Sequence, residues 1–436
     1  MFSRRRATTA KLDEIAGQRA HRPDYQLVLF IGLLMLVGLV IMYAIGPQRA
    51  NVMNSVHGTD FYSDTYFAVK QVVSLALAIV AFIIMARVPF AWWKKHALKV
   101  LLAGLGACTL LFIVGNVANG MLKMDTFATN TLGAYRWFSL GSFGSFQPAE
   151  ILKMGVLLYF ATFLGARAQQ GLLNNLEKTI VPVVSIAALA LLFVVVIQKD
   201  MGTGIALGGI ITSIFMVSGI DKKIGIKLLI AVLALGLLAI VGTDHRRERL
   251  MTFLNGDDHS VSADDNSYHI RNAMIAIGTG GLFGRGIGNS IQATGYLPEA
   301  INDSVFAILG EMFGLVGVCI ILGIFTALLM RLLKITDRLP DMSMRLVVAG
   351  VFGWLAAHVV LNVASMIGVI PLTGITLPLL SFGGTSMLFI TGAMGLAFQL
   401  SKYTSHKAVL TQEAAHENLS SRRGIGRTRV AGRRAF

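Results

Sequence analysis

Charged side chains are scarce in this chain of 436 residues. Lys, Arg, Asp and Glu together account for 14% of the sequence, whereas a water-soluble domain usually carries about 25% of them. Hydrophobic residues make up 55% of the chain. This composition excludes an ordinary soluble domain and indicates that lipid surrounds much of the protein.

The sequence also lacks the motifs of common soluble enzymes. Its two cysteines, Cys108 and Cys319, lie in apolar segments, so neither a disulfide framework nor a cysteine metal site is predicted. A Walker A loop, a His-Glu-x-x-His helix and a nucleophile elbow are missing. The glycines between 278 and 288 do not match the dinucleotide fingerprint, because position 283 is Phe. The first 24 residues have no apolar core, so no cleaved signal peptide is predicted.

Long apolar runs are abundant instead. Each is about 20 residues long, which is the length of a helix that crosses a bilayer. The chain is therefore predicted to be an all-α polytopic membrane protein with ten transmembrane helices. The predicted spans are centred on 25–45, 66–86, 98–117, 148–165, 179–198, 202–220, 226–243, 304–330, 344–368 and 383–401.

Basic residues predict the orientation of these spans. With the N-terminus in the cytoplasm, 27 of the 38 lysines and arginines fall on cytoplasmic segments, so the positive-inside rule predicts that both termini are cytoplasmic. The predicted parts are a basic tail (1–24), a membrane domain (25–401) and a second basic tail (402–436), expected to be disordered. The tails suit anionic lipid better than nucleic acid. A large extracellular loop, 244–302, joins spans seven and eight, with a short interfacial helix at 268–277.

A charged group at bilayer depth costs about 2.5–3.5 kcal/mol, so each one requires a reason. Glu311 lies deep in span eight, whereas the other candidates lie near the outer surface. Together they predict one water-accessible cleft of mixed charge that opens to the outside. The outer candidates are Lys70, Glu150, Lys153, Asp200, Glu299 and Asp303.

Each candidate also has a structural interpretation. Asp303 precedes an apolar helix, so an N-cap and a catalytic or binding carboxylate are both open. Glu150 and Lys153 are three residues apart and could neutralise each other. Lys70 could extend to the lipid headgroups, and Asp200 could only shape a turn.

The segment "PLTGITLPLLSFGGTSM", 371–387, lies between the last two spans on the outer face. Irregular backbone at this depth must line protein or a wet cavity. Backbone N–H groups at Gly383, Gly384 and Thr385 could bind an anion such as a phosphate. The alternative is a plain re-entrant turn.

Four motifs together resemble one family. "GAYRWFSLGSFGSFQPAEILK", "QKDMGTG", "GTGGLFGRGIGNS…YLPEAINDSVFAILGE" and "ITLPLLSFGGTSM" are similar to the SEDS proteins (shape, elongation, division, sporulation), in order and spacing. "YLPEA" and "ITLPLL" are more similar to the division member, FtsW, than to the elongation member, RodA. The resemblance runs from the first span to the last.

The resemblance implies a peptidoglycan glycosyltransferase in the bacterial cytoplasmic membrane. Its expected substrates are lipid II and a glycan on a polyprenyl diphosphate, and its expected partners are a class B penicillin-binding transpeptidase and other divisome or elongasome membrane proteins. The family's essential carboxylate falls on Asp303. Its polar cleft residues fall on Lys70, Glu150, Lys153, Asp200 and Ser381.

In the expected mechanism, Asp303 is the general base and cations stabilise the diphosphate leaving group. Lys70, Lys153 or Arg136 could supply the positive charge, with or without a divalent cation. Three positions around Asp303, occupied here by Ile301, Asn302 and Ser304, differ from the family pattern, as does Ala293. A lipid II flippase and a catalytically weak scaffold for the transpeptidase remain alternatives.

Overall fold

A computed structural model describes residues 21–123, 127–131, 134–139, 141, 144–221, 223–227, 265–382 and 384–404. Helices dominate these parts of the chain. In chain order they are α1 (Tyr25–His57), α2 (Tyr66–Arg87), α3 (Phe90–Phe112), α4 (Pro148–Gln169), α5 (Val181–Leu191), α6 (Met201–Ser218), α7 (Asp265–Thr279), α8 (Val305–Arg338), α9 (Met342–Met366) and α10 (Thr385–Leu400). Wide π-type turns, Ile113–Met121 and Leu176–Ile180 with Leu192–Ile197, extend α3 and α5.

Eight helical segments of the described residues are long and apolar enough to cross a membrane, which confirms a polytopic helical membrane protein. The predicted span 226–243 lies almost entirely outside the described residues. The predicted last span is α10, whose 16 residues make it shorter than the others. The first helix is longer than the predicted span, because α1 continues beyond residue 45 to His57 with Pro47 inside it. The short helix predicted at 268–277 is confirmed as α7.

The two faces of α1 show why these helices need lipid. Leu34 and Ile41 are fully buried against the rest of the protein. Leu36 and Tyr43, on the opposite face, are 61% and 69% exposed. A broad exposed apolar face would be unfavourable in water, so it indicates a lipid-facing surface.

Helix α9 lies at the centre of the bundle and packs against α4, α6 and α8. Close helix contacts depend on small residues, as is common where van der Waals packing drives association in lipid. Where α3 meets α4, a Cβ atom on Gly104 would lie 2.6 Å from the Cα of Leu152. A Cβ atom on Gly155 would lie equally close to the Cα of Leu101.

A small antiparallel sheet between α3 and α4 was not predicted. Strands β1 (Ala128–Thr131), β2 (Ala134–Ser139) and β3 (Ser145–Phe146) pair in sequence order. Thr129 lies opposite Trp137, and Phe138 lies opposite Phe146. Apolar and polar residues alternate over too few positions in these short strands for hydropathy to reveal them. The pairing of the strands fixes the position of Arg136 on β2.

Helix α8 is interrupted at Gly314, whose backbone is non-helical (φ 65°, ψ −169°). The interruption frees backbone groups that would be costly to leave unpaired in a membrane. The glycine-rich loop pairs with them: Arg285 and Gly286 donate N–H groups to the carbonyls of Glu311 and Met312, at 2.9 and 3.0 Å. In return, the N–H of Leu315 donates to a loop carbonyl.

The glycines of this loop permit the close approach. A Cβ atom on Gly284 would lie 2.2 Å from the Met312 carbonyl oxygen, and φ there is +81°. A side chain at this position would therefore meet both a backbone clash and an unfavourable backbone conformation. The segment "GTGGLFGRGIG" therefore supplies hydrogen-bond partners for the backbone groups that the interruption of α8 leaves free.

Glu311 holds the next part of the same loop. Its carboxylate accepts hydrogen bonds from the N–H groups of Ile291 (3.0 Å) and Gln292 (3.2 Å) and from the hydroxyl of Ser290. Its side chain is buried. Glu311 thus has a structural reason to be at bilayer depth.

Candidate active site

Asp303 lies in a run of turns, 298–304, directly before α8. The N-cap of α8 is Ser304, and no side chain caps the helix there. The N-cap interpretation of Asp303 is therefore wrong. The turn is closed by backbone hydrogen bonds from Asn302 (2.9 Å) and Ser304 (3.2 Å) to the carbonyl of Glu299.

The Asp303 carboxylate is poorly solvated. Its Oδ1 atom is buried and has no hydrogen-bond partner among the described residues. Burial, followed by the negative charge of Glu299, raises its pKa from 3.8 to about 7. Hydrogen bonds from its own N–H group and from Ser304 act in the opposite direction. A carboxylate with a pKa near neutrality can both accept and release a proton at physiological pH.

Asn362 of α9 joins this turn to the irregular segment that follows α9. Its side-chain amide donates to the carbonyls of both Asp303 and Ile375, each at 2.7 Å. Asn362 is fully buried. A second link is the hydrogen bond from the N–H of Phe382 to the carbonyl of Ile301, at 2.8 Å. Two regions about 75 residues apart in sequence therefore form one unit around Asp303.

The short helix α7 supplies a histidine to the same turn. Nε2 of His269 lies 2.6 Å from the hydroxyl oxygen of Ser304. That hydroxyl also donates to the carbonyl of Pro298 at 2.8 Å. A serine hydroxyl has one proton, so with this donation Nε2 of His269 is the donor.

Glu150 and Lys153 form the predicted ion pair on α4, with 2.8 Å between Nζ and Oε1. Their side chains are only 1–2% exposed, so the expectation of an open, water-accessible cleft is wrong at this pair. Lys153 also lies over the ring of Trp354, 4.9 Å from its centroid. Oε2 of Glu150 has no hydrogen-bond partner among the described residues.

The other residues of α9 connect this pair to the Asp303 region. Trp354 (which contacts Lys153), His358 and Asn362 follow one another at a spacing of four residues on α9, and His358 is buried. Nδ1 of His358 lies 3.4 Å from the carbonyl of Thr376, next to Ile375. Helix α9 thus contacts the Glu150–Lys153 pair through Trp354 and the segment beside Asp303 through His358 and Asn362.

Asp200 is the N-cap of α6. Its carboxylate accepts from the N–H (3.0 Å) and hydroxyl (2.8 Å) of Thr203 and from the side-chain amide of Gln147 (2.9 Å). Arg136 donates to the carbonyls of Gln198 (3.1 Å) and Lys199 (2.8 Å). Both residues therefore shape the turn that begins α6.

Of the remaining predicted residues, Ser381 and Gly384 lie in the 371–384 segment, and Lys70 lies in the first turns of α2. Lys70 is half-buried and 5.8 Å from the ring centroid of Tyr66. The hydroxyl of Ser381 is buried and accepts from the N–H of Leu377 at 2.9 Å. Gly384 is exposed at the N-cap of α10. Gly383 lies outside the described residues.

Glu299 is exposed, and its φ of 48° is unusual for a residue other than glycine. Its carboxylate accepts a hydrogen bond from the side chain of Asn302. No group of three or more His, Cys, Asp or Glu side chains that could hold a metal ion is present among the described residues. The structure therefore identifies no ligand set for a divalent cation.

A family model described as "Cell cycle protein", covering FtsW, RodA and SpoVE, matches residues 25–406. The chain belongs to this family, the SEDS family. It is therefore a multi-pass protein of the bacterial cytoplasmic membrane. The family resemblance carried by the four sequence motifs is confirmed.

Two curated SEDS relatives match over most of their length. Stage V sporulation protein E of Bacillus subtilis is 29% identical over 88% of this chain and 98% of its own. A Saccharophagus degradans protein named "Probable peptidoglycan glycosyltransferase FtsW" is 30% identical over 88% of this chain and 93% of its own.

Solved structures show the same fold at 24% identity. The chain is similar to a chain of a peptidoglycan synthase complex with a TM-score of 0.64, covering 88% of this chain and 99% of that one. It is similar to the rod shape determining protein RodA of Thermus thermophilus with a TM-score of 0.60, covering 88% and 98%. The helix bundle around α9 is therefore the fold of these solved structures.

Sequence reasoning missed three residues of the site: Asn362, His269 and Gln147. Asn362 and Gln147 are uncharged, so the search for charges at bilayer depth passed over them. A buried amide within the apolar run "HVVLNVAS" was a usable signal, because such a group must find a hydrogen-bond partner. His269 could not be found from sequence, because its partner lies 35 residues away.

Proposed function

We propose that this protein is a peptidoglycan glycosyltransferase that polymerises lipid II at the outer face of the cytoplasmic membrane. The observation that carries the proposal is the Asp303 carboxylate, which is held in a rigid turn, has one unpartnered buried oxygen, and has a pKa raised to about 7. It lies in a chain of the SEDS family whose curated relatives include a protein named as such an enzyme.

The proposed reaction is an inverting glycosyl transfer. The 4-hydroxyl of the GlcNAc of lipid II attacks the anomeric carbon of a glycan carried on a polyprenyl diphosphate. Asp303 takes the hydroxyl proton as the new carbon–oxygen bond forms, and the bond to the diphosphate breaks. A positioned base of this kind contributes about 10²- to 10⁴-fold to the rate.

The departing diphosphate needs positive charge or hydrogen-bond donors. We assign these roles to Lys70 and to the N-terminus of α10 at Gly384, where added atoms would meet open space. Lys153 forms an ion pair with Glu150, and Arg136 donates hydrogen bonds to two backbone carbonyls. These two residues, with Asp200 and Ser381, support the shape of the site and could contact substrate only by exchanging those partners.

The proposed orientation has ten spans, both termini in the cytoplasm and the 244–302 loop outside, so that Asp303 faces the side where the wall is built. Single cysteines at Asp60 and Lys94, both exposed, in a background of Cys108→Ala and Cys319→Ala, test it. An impermeant thiol reagent should label position 60 of intact spheroplasts and not position 94. The reverse pattern would place Asp303 in the cytoplasm and exclude an extracellular polymerase.

A class B penicillin-binding protein is the proposed partner, because the similar chain of known structure comes from a complex that couples polymerisation and crosslinking. The decisive experiment is glycan polymerisation from purified lipid II, with and without this transpeptidase. Chains made by the wild type and not by Asp303→Asn support the proposal. Lipid II translocation without chain formation would indicate a flippase, and neither activity would indicate a scaffold.

A further inference from the structure

A second polar site lies at the end of the bundle opposite Asp303. It is a cavity of about 530 Å³ between the start of α1, the end of α8 and the end of α10. Sites for small ligands typically have volumes of about 300–1,000 Å³. None of the residues proposed for glycosyl transfer lines this cavity, so it needs a separate explanation.

Positive charge dominates the walls of the cavity. Arg331, Lys334 and Arg338 follow one another at helical spacing on α8, and Arg22 faces them from the segment before α1. Asp24 is the single acidic residue of the lining, and it is paired with Arg331. Arg22 and Lys334 have no ion-pair partner among the described residues. The cavity therefore has cations available to an anion.

Hydrogen bonds hold the walls in place. The N–H of His21 donates to the carbonyl of Lys402 at 2.9 Å, and the N–H of Asp24 donates to the hydroxyl of Ser401 at 2.9 Å. The carboxylate of Asp24 also accepts from the N–H of Gln26 at 3.1 Å. These bonds join the start of the first helix to the end of the last one, so the cations are presented by a fixed frame.

The cavity also has the position expected of the membrane surface. Tyr25 lines it, is 63% exposed, and packs edge-on against Phe398 with 5.8 Å between ring centroids. Tyrosines are enriched at the level of the lipid headgroups. Basic pockets between transmembrane helices at this level suit anionic headgroups.

We propose that this cavity binds a phosphate group at the membrane surface. The phosphate of an anionic phospholipid headgroup is the favoured source, because Tyr25 places the opening beside lipid, and a soluble phosphate compound shares the same chemistry. The proposal is independent of glycosyl transfer; the proposed orientation of the chain only decides that the cytoplasmic leaflet supplies the lipid.

The test is a titration of the full-length protein in zwitterionic phosphatidylcholine nanodiscs. Phosphatidylglycerol is introduced in one arm and inorganic phosphate in the other, and the thermal unfolding midpoint and the retained lipid in native mass spectra are measured. The variant Arg22→Gln with Lys334→Gln removes two cavity cations and leaves the Asp24–Arg331 pair. The control Lys94→Gln with Lys95→Gln removes two exposed cations from the start of α3, outside the cavity.

Wild type and control should bind phosphatidylglycerol saturably, and the cavity variant should bind it about 30-fold more weakly, since each cation near anionic lipid contributes about 1 kcal/mol. A saturable effect of inorganic phosphate alone, lost in the cavity variant, supports the site and assigns it to a soluble compound. Equal binding by all three proteins, or equal losses in the cavity variant and the control, would overturn the proposal.

Discussion

Asp303, in the turn before α8, and Glu311, in the second turn of α8, are carboxylates eight residues apart with opposite surroundings. Glu311 accepts hydrogen bonds from two backbone N–H groups and one hydroxyl of the glycine-rich loop. Asp303 keeps one buried oxygen without a partner among the described residues. Burial removes water from both carboxylates, but only at Glu311 do hydrogen bonds from the protein replace the lost water on both oxygens.

This difference in hydrogen bonding distinguishes a structural carboxylate from one that can act as a base. A buried carboxylate with several hydrogen-bond donors holds its neighbours together. A buried carboxylate with too few donors, such as Asp303 with its unpartnered Oδ1 atom, is destabilised in its charged form, so it binds a proton more strongly and can act as a base. Depth in the membrane therefore does not by itself mark a carboxylate as a catalytic candidate, since Glu311 is the deeper of the two.

The largest effect that separates the two carboxylates should come from exchanging each for its amide. Asp303→Asn should lower glycan polymerisation from lipid II by at least about 100-fold, because an amide cannot take the hydroxyl proton. Glu311→Gln should lower the yield of folded protein but leave the activity of each folded molecule within about threefold. Near-normal polymerisation by Asp303→Asn would remove the general-base role.

The Glu311 region should be sensitive to backbone crowding. Gly284→Ala should lower the free energy of unfolding by about 2–4 kcal/mol, because its Cβ would clash with the Met312 carbonyl at a positive φ. Gly278→Ala is the matched control, since Gly278 is helical and faces open space. Thermal unfolding in detergent measures both. Equal midpoints for the two variants would contradict the role assigned to the loop.

The polymerisation rate and the free energy of unfolding should both depend on pH through Asp303. Asp303 must be deprotonated to act, so the polymerisation rate should fall about tenfold per pH unit below its pKa of about 7. Because this pKa is raised from 3.8, the native state binds a proton that the unfolded chain has already lost. The free energy of unfolding should therefore fall as pH rises from about 4 to 7.

Two measurements sharpen this prediction. The pH dependence of unfolding in this window should be weaker in Asp303→Asn, which has no proton to bind. Glu311→Gln should keep the wild-type pH profile of polymerisation. A rate that is flat through pH 7 in the wild type would show that Asp303 has an ordinary pKa.

The smallest effect should come from the hydrogen bond behind Asp303. His269→Phe removes the donor to Ser304 and should lower the maximal polymerisation rate about 3- to 10-fold, as expected for one hydrogen bond. It should also move the midpoint of the pH profile, because Ser304 contacts the Asp303 carboxylate. His269→Gln keeps an amide donor and should recover most of the rate. An unchanged pH midpoint in His269→Phe would reduce His269 to a packing role.

Local properties of the sequence were sufficient to predict the helices and to select Asp303 as a catalytic candidate. Apolar runs of bilayer length follow from the need to satisfy every backbone group inside lipid, so most spans are placed within a few residues. Asp303 stands in a short motif, "YLPEAINDS", that can be recognised without knowing its surroundings. The ion pair of Glu150 and Lys153 was also predictable, because it lies within one helical turn.

The tertiary structure alone decided which of these groups act together. Asn362 bonds to Asp303 across 59 residues, and Arg136 bonds to Lys199 across 63. The glycine-rich loop pairs with the broken helix α8, and Asp24 meets Arg331 across 307 residues. Such contacts have no local signature, because hydrogen bonds and ion pairs depend on distances that only the packed helices set. The sequence determined the helices and the catalytic candidate, and helix packing determined that Glu311 is surrounded by hydrogen-bond donors whereas Asp303 keeps one buried oxygen without a partner among the described residues.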